Sequence, residues 1–212
     1  MEIREIFEEL VRWTPFLAGG FIWNIVISLV SMLIGTALGA VLAFMRESDG
    51  RVTVRSSLLI TELARNVPTF VFLFYLAYLL PSEVAILGTA IPFPAWLKAS
   101  LALSIAVVGF VSDNMALAIR DWRNGHREAA ALFIPSWMMY LLIIIMASST
   151  ASVIGVSEIV SRCNTVIAAT GKLSLLLWIY FYAMLWFFLF CYPLISTMNW
   201  IKNRMRQRQL IH

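Results

Sequence analysis

The residues able to do chemistry are few and fall into four groups. The first is Asn124-Gly125-His126-Arg127-Glu128-Ala129-Ala130-Ala131, a polar island between two long apolar runs. Asn124-Gly125 reads as a turn and cap. The alanines read as a short, stiff helix whose face is small enough to enter a cleft. Arg127 and Glu128, with Arg123 just before them, offer charged hydrogen bonds that hold register against another surface. That chemistry is docking. The second group is Asp113 and Asn114, which either line a path and meet an ammonium group of a solute or pair with a basic neighbour such as Arg120. The third, Ser148, Ser149 and Thr150, either hydrogen-bonds a solute inside the bilayer or bonds back to helix carbonyls. The fourth, Glu62 and Arg65, shares one helix face with Asn66 at i, i+3, i+4 spacing. A charge in the bilayer core costs on the order of 2.5–3.5 kcal/mol, so Glu62 and Arg65 are expected to form a structural pair.

Catalytic chemistry finds no support. There is no nucleophile–base constellation, and no glycine-rich phosphate loop that would let the chain bind ATP itself. Cys163 and Cys191 are distant from one another and have no histidine neighbour, and both His126 and His212 sit at polar edges. Neither a metal site nor a cofactor is expected.

The elements that must position these groups are membrane helices. Of 212 residues, 61% are hydrophobic and only 13% charged, against roughly 25% charged in a soluble domain. Several runs approach or exceed the ~20 apolar residues that cross a bilayer. The sequence therefore predicts an all-α polytopic membrane protein with five spans, at about 16–45, 57–80, 95–119, 136–154 and 175–200. Residues 1–15 form an external amphipathic segment, with Ile3, Ile6, Phe7 and Leu10 on one face and Trp13 as an interfacial anchor. Their acid-rich start lacks the basic opening of a cleavable leader. Pro68 is expected to kink or restart the second span. Gly35 and Gly39 let helices approach closely. Residues 81–95 form an external loop, the island occupies 120–135 and ends at Pro135, and a basic tail follows at 201–212. The fifth span is aromatic and expected to face lipid.

Charge sets the orientation. The loops around 46–65 and 120–127 and the tail carry eleven of the sixteen basic residues. The positive-inside rule then puts the C-terminus in the cytoplasm and the N-terminus outside. The net charge of +4 is read as topology and not as nucleic-acid binding.

The order Gly125-x-x-Glu128-Ala129-Ala130, in a cytoplasmic loop between the third and fourth of five spans, resembles the permease subunit of ATP-binding-cassette importers. The polar amino acid (histidine/glutamine) family is the nearest likeness. Two further segments support it. Arg65-Asn66-Val67-Pro68 is similar to that family's R-G-T-P, and the stretch from Ser149-Thr150 to Glu158-Ile159 is similar to its K-D-T-S-L-x-S-x-I-x-x-x-E-L. The likeness covers about residues 16–200.

The resemblance implies a type I importer-like fold in the bacterial inner membrane and a translocation path for a polar amino acid or related small solute. It implies that Gly125, Arg127, Glu128, Ala129 and Ala130 couple the chain to cytoplasmic ATPase subunits. A second permease subunit, identical or homologous, and an external solute-binding protein would complete the assembly, with membrane lipid around it. Pro135 arrives early and Ile134 stands near an expected glycine, so the coupling loop is shorter than the family's and a reduced ATPase contact is expected. Two other functions fit the residues: an ATPase-independent channel or carrier, and a non-transporting permease-like assembly subunit.

Overall fold

The computed structural model describes residues 3–86 and 89–209, without the side chains of Ile3, residues 84–86, 90 and 91, and those beyond 205. The first helix, α1, runs unbroken from Ile3–Arg46. At 1.5 Å per residue it is about 66 Å long, twice the ~30 Å hydrocarbon core. A separate amphipathic segment is expected at 1–15; instead the helix continues through Pro15, so residues 3–15 are the start of α1 itself. Tertiary packing is the reason. Ile6, Leu17 and Phe21 are buried against Ile159, Cys163 and Val166 of α7 (Ile159–Thr170). Arg162 donates to the carbonyl of Phe16 at 2.6 Å, and Lys172 pairs with Glu9 at 2.7 Å.

The second span is also different. α2 (Arg51–Asn66) and α3 (Thr69–Leu79) are separate helices, bent by 94° at Val67-Pro68. Proline lacks the amide that would continue the ladder, and it pushes the preceding residue into extended backbone. α3 has 11 residues, about 16 Å, so it reaches only part-way through a bilayer.

Between α3 and α4 the loop holds a short antiparallel hairpin, β1 (Glu83–Ile86) with β2 (Thr89–Pro92). This is the one departure from an all-α chain among the described residues. α4 (Ala95–Arg123) runs antiparallel to α3. Lys98 at its start donates to the Ala77 and Leu80 carbonyls at 3.2 and 2.7 Å, where a cation suits the C-terminal end of α3.

α1 and α4 form the central pair and run parallel. A Cβ on Gly35 would lie 2.4 Å from Val107 Cβ, and one on Gly39 would lie 2.7 Å from Val111 Cβ. Both glycines are thus close-approach positions, as helix association in lipid favours.

Three elements make the fourth span: α5 (Arg127–Ala131), α6 (Phe133–Ala147) and a 3-10 helix at Ser148–Ile154. Together they form one apolar stretch of 28 residues. α6 begins before Pro135, which corrects the boundary drawn there. A proline in a first turn costs little, because its missing amide would have had no helical partner. α8 (Leu176–Gln209) is the last span. It turns Leu177, Phe181, Met184, Phe188 and Leu189 outward. Among the described residues, four helices are long and apolar enough to cross a membrane, and the bent pair is the fifth candidate.

Candidate functional sites at the two ends of the bundle

At the basic end, the island is built by a helix stop and restart. α4 closes with Asn124 donating to Arg120 O at 3.0 Å and Gly125 to Trp122 O at 3.1 Å. Gly125 has φ +86°, and nothing lies within 4 Å of where its Cβ would be. Its role is conformational, since a side chain there is strained whatever the space. His126 N donates to Asp121 O at 2.8 Å, and α5 follows as a five-residue helix. Ala130 is buried and Ala129 half-buried, while Arg127 and Glu128 are exposed. The Arg127 guanidinium lies over Trp122, 5.2 Å from the ring centroid. Glu128 makes no ion pair among the described residues. Arg123 is exposed as well but turns toward α1. Together with Arg120 it holds Glu47 at the end of α1, Arg120 at 2.9 Å and Arg123 at 3.8 Å.

One turn inward lies a three-helix ion cluster. Asp113 of α4 accepts from Arg46 of α1 and from Arg65 of α2, each at 2.6 Å. Arg46 also donates to Thr61 at 2.9 Å and to Ser112 at 3.1 Å, and those two hydroxyls lie 2.7 Å apart. Two expectations are corrected here. Arg65 pairs with Asp113 and not with Glu62, which is exposed and without an ion pair among the described residues. Asp113 pairs with Arg46 and Arg65 and not with Arg120. The cause is the bend at Pro68, which lays α2 against α4 with Ser57, Thr61 and Ala64 inward and Glu62 outward.

Exposure separates the members of this cluster. The Arg46 side chain is 13% exposed, Asp113 29% and Arg65 60%. Arg46 is thus the most shielded member of the cluster and the one that most needs its partner. Beside it opens a cleft of about 380 Å³, lined by Arg65, Asp113, Asn114, Thr69, Phe110 and Tyr140 among others. Phe110 and Tyr140 stack there at 3.9 Å, and Asn114 donates back to Phe110 O at 2.8 Å.

The opposite half holds a second cluster. Asn24 of α1 donates to Ser148 Oγ at 2.9 Å and to Glu158 Oε2 at 3.0 Å, and accepts from Ile159 N at 3.2 Å. Glu158 caps α7, accepting from Val160 N at 3.1 Å and Ser161 N at 2.8 Å. Asn24, Ser148 and Glu158 are all 0% exposed, and Glu158 has no cation within ion-pair distance among the described residues. Burial pushes the Glu158 carboxyl above its ordinary range, and the two backbone amides and Asn24 partly oppose that shift. Ser149 and Thr150 donate to the carbonyls of Met146 and Ala147, each at 2.8 Å. Ser148 therefore belongs to a buried cluster, Ser149 faces a groove along α8, and neither lines the Asp113 cleft.

Arg46, Thr61, Ser112 and Asn24 are the functional candidates missing from the sequence reading. Arg46 carried only a topology signal, and Asn24 none, being a lone polar residue in an apolar run. Cys163 and Cys191 are buried and unpaired. Burial pushes the Cys163 thiol up to about 12, so it holds no appreciable thiolate at neutral pH.

No family model matches the chain. Over 116 residues, 55% of the chain, it is 30% identical to a probable amino-acid ABC transporter permease protein of Sinorhizobium fredii, and the match spans 48% of that protein, about half its length. As a fold it matches a chain of the crystal structure of an amino acid ABC transporter with histidines, with a TM-score of 0.75 and 17% identity, over 93% of this chain and 98% of that one. The long first helix, the bent second span, the paired α1 and α4 and the short α5 together make a polytopic membrane protein with that transporter chain's fold, and in sequence half of it resembles an amino-acid ABC transporter permease.

Proposed function

We propose that this chain is a permease subunit of an ATP-binding-cassette importer in a bacterial inner membrane, carrying a polar amino acid or a related small solute. The observation that carries this reading is the exposed Arg127–Glu128 face of α5 at the basic end of a fold shared with an amino acid ABC transporter. Glu47, gripped by Arg120 and Arg123, ties the end of α4 to the end of α1. A push on α5 therefore reaches the two central helices directly. Separate cytoplasmic ATPases would supply that push, an external binding protein would deliver the solute, and a second permease subunit would close the path.

The short α5 favours a second reading, a permease-like subunit that assembles with a homologue but drives little transport itself. Both readings meet the same experiment. Glu128→Lys reverses charge on an exposed side chain and is expected to leave folding intact. In proteoliposomes it should uncouple ATP hydrolysis from uptake, reducing solute accumulation at least about tenfold, the scale of one lost charged contact. Unchanged uptake in Glu128→Lys sinks the coupling role. Unchanged uptake on deleting the whole chain, with its homologue retained, favours the assembly reading.

A further inference from the structure

We infer that α2 is an interfacial helix whose Arg51 and Arg55 bind the headgroups of anionic phospholipid on the basic side of the membrane. α2 cannot span by itself, because its 16 residues include Arg51, Arg55, Glu62 and Arg65. The 94° bend at Val67-Pro68 sets it across α3, and α3 runs beside the spanning α4. α2 thus lies across the direction of the spans.

Its faces are sorted accordingly. At 100° per residue, Ser57, Thr61 and Ala64 occupy one arc and are buried against α1 and α4. On the opposite side, Arg51 and Arg55 form one edge. Val52, Leu59 and Leu63 form the adjoining edge, and all are exposed. A charged edge beside an apolar edge is the layout of a helix seated at the headgroup boundary. Arg51 and Arg55 stand one turn apart, and among the described residues neither has an ion-pair partner.

The charges facing them are mixed. Glu62 lies on the same edge, Asp49 lies just before α2, and both are exposed. Beyond them, Arg46 and Arg65 outnumber Asp113, and Arg120 and Arg123 outnumber Glu47. Among the described side chains, this end carries nine basic against six acidic residues, and the other end five against five. The field at α2 is therefore positive, and a net-negative headgroup is the complementary occupant. This inference is independent of the transport reading and needs only the membrane fold.

The test is Val52→Cys labelled with a polarity-sensitive dye, in the full chain with its co-purifying subunits, reconstituted in nanodiscs of phosphatidylcholine and increasing phosphatidylglycerol. A headgroup-depth nitroxide should quench the dye, and aqueous iodide should not. The emission should shift with phosphatidylglycerol content. Arg51→Gln and Arg55→Gln should each raise the half-maximal phosphatidylglycerol content about fivefold, the effect of one basic side chain at an anionic surface. Arg51→Lys should retain the response, and Glu62→Gln should lower the half-maximal content. Quenching by iodide alone, protection from both quenchers by a partner subunit, or a response to phosphatidylglycerol that ignores both arginines would each overturn the inference.

Discussion

The two polar clusters tied to α1 solve opposite problems. Asn24 and Arg46 are 22 residues apart on one helix, about 33 Å, which matches the ~30 Å thickness of the hydrocarbon core. At the basic end, full charges meet across three helices. Asp113 is shared by a half-buried arginine and an exposed one, next to an open cleft. At the other end no cation enters. An amide, a hydroxyl, a carboxylate and backbone amides close on one another at 0% exposure. The first cluster can exchange partners with water or a solute, because Arg65 already reaches out. The second is closed at 0% exposure, so it works as a pin joining α1, the 3-10 turn and α7. A helix pinned at one end and ion-paired at the other suits a molecule that opens at the charged end.

Four single substitutions test this contrast, from the largest effect downward. Asp113→Ala strands Arg46 in a nearly closed site, and breaking such a pair costs on the order of 3 kcal/mol. The melting temperature in detergent should fall sharply, and Arg46→Leu combined with Asp113→Leu should recover much of it. If Asp113→Ala alone melts like wild type, the cluster does not hold the three helices. Asn24→Ala should cost about 2 kcal/mol by leaving the buried Ile159 amide without its acceptor and taking one donor each from Ser148 and Glu158. Its effect should appear as faster hydrogen exchange at Ile159, Val160 and Ser161 and leave Arg46 and α2 untouched. Equal exchange at both ends would erase the distinction between pin and ion cluster.

The smallest effect concerns pH. Because the folded Glu158 pKa is raised, the folded state holds this proton more tightly than the unfolded one. Stability should therefore fall as pH rises from the ordinary carboxylate range through the raised value, then level off. Glu158→Gln should flatten that slope at the amides of α7. Arg65→Gln, 60% exposed, should cost under about 1 kcal/mol and serves as the matched control at the basic end.

Much of this was legible in the sequence because the bilayer imposes strong local rules. Long apolar runs with few charges had to be spans, and the eleven basic residues had to crowd one end. Gly35 and Gly39, at i, i+4, announced a close helix contact, and Val107 and Val111 supply it. Pro68 announced a break, and Asn124-Gly125 a turn. Charge partners were harder to read. Spacing on one helix suggested Glu62 with Arg65, yet the partner of Arg65 comes from α4, 48 residues away.

The sequence by itself determined the class of protein, its long apolar segments, the crowding of basic residues into a few short stretches and the place of the polar island. Each follows from composition and period within a single segment. Only the tertiary structure decided that residues 3–15 continue α1, that α2 turns 94° from α3, and that Arg46, Asp113 and Arg65 meet. It also brought Asn24 to Glu158. The physical reason is common to all four. Which polar groups find one another depends on how helices cross, and crossing is set by contacts between segments far apart in the chain, such as the glycine stripe of α1 against α4.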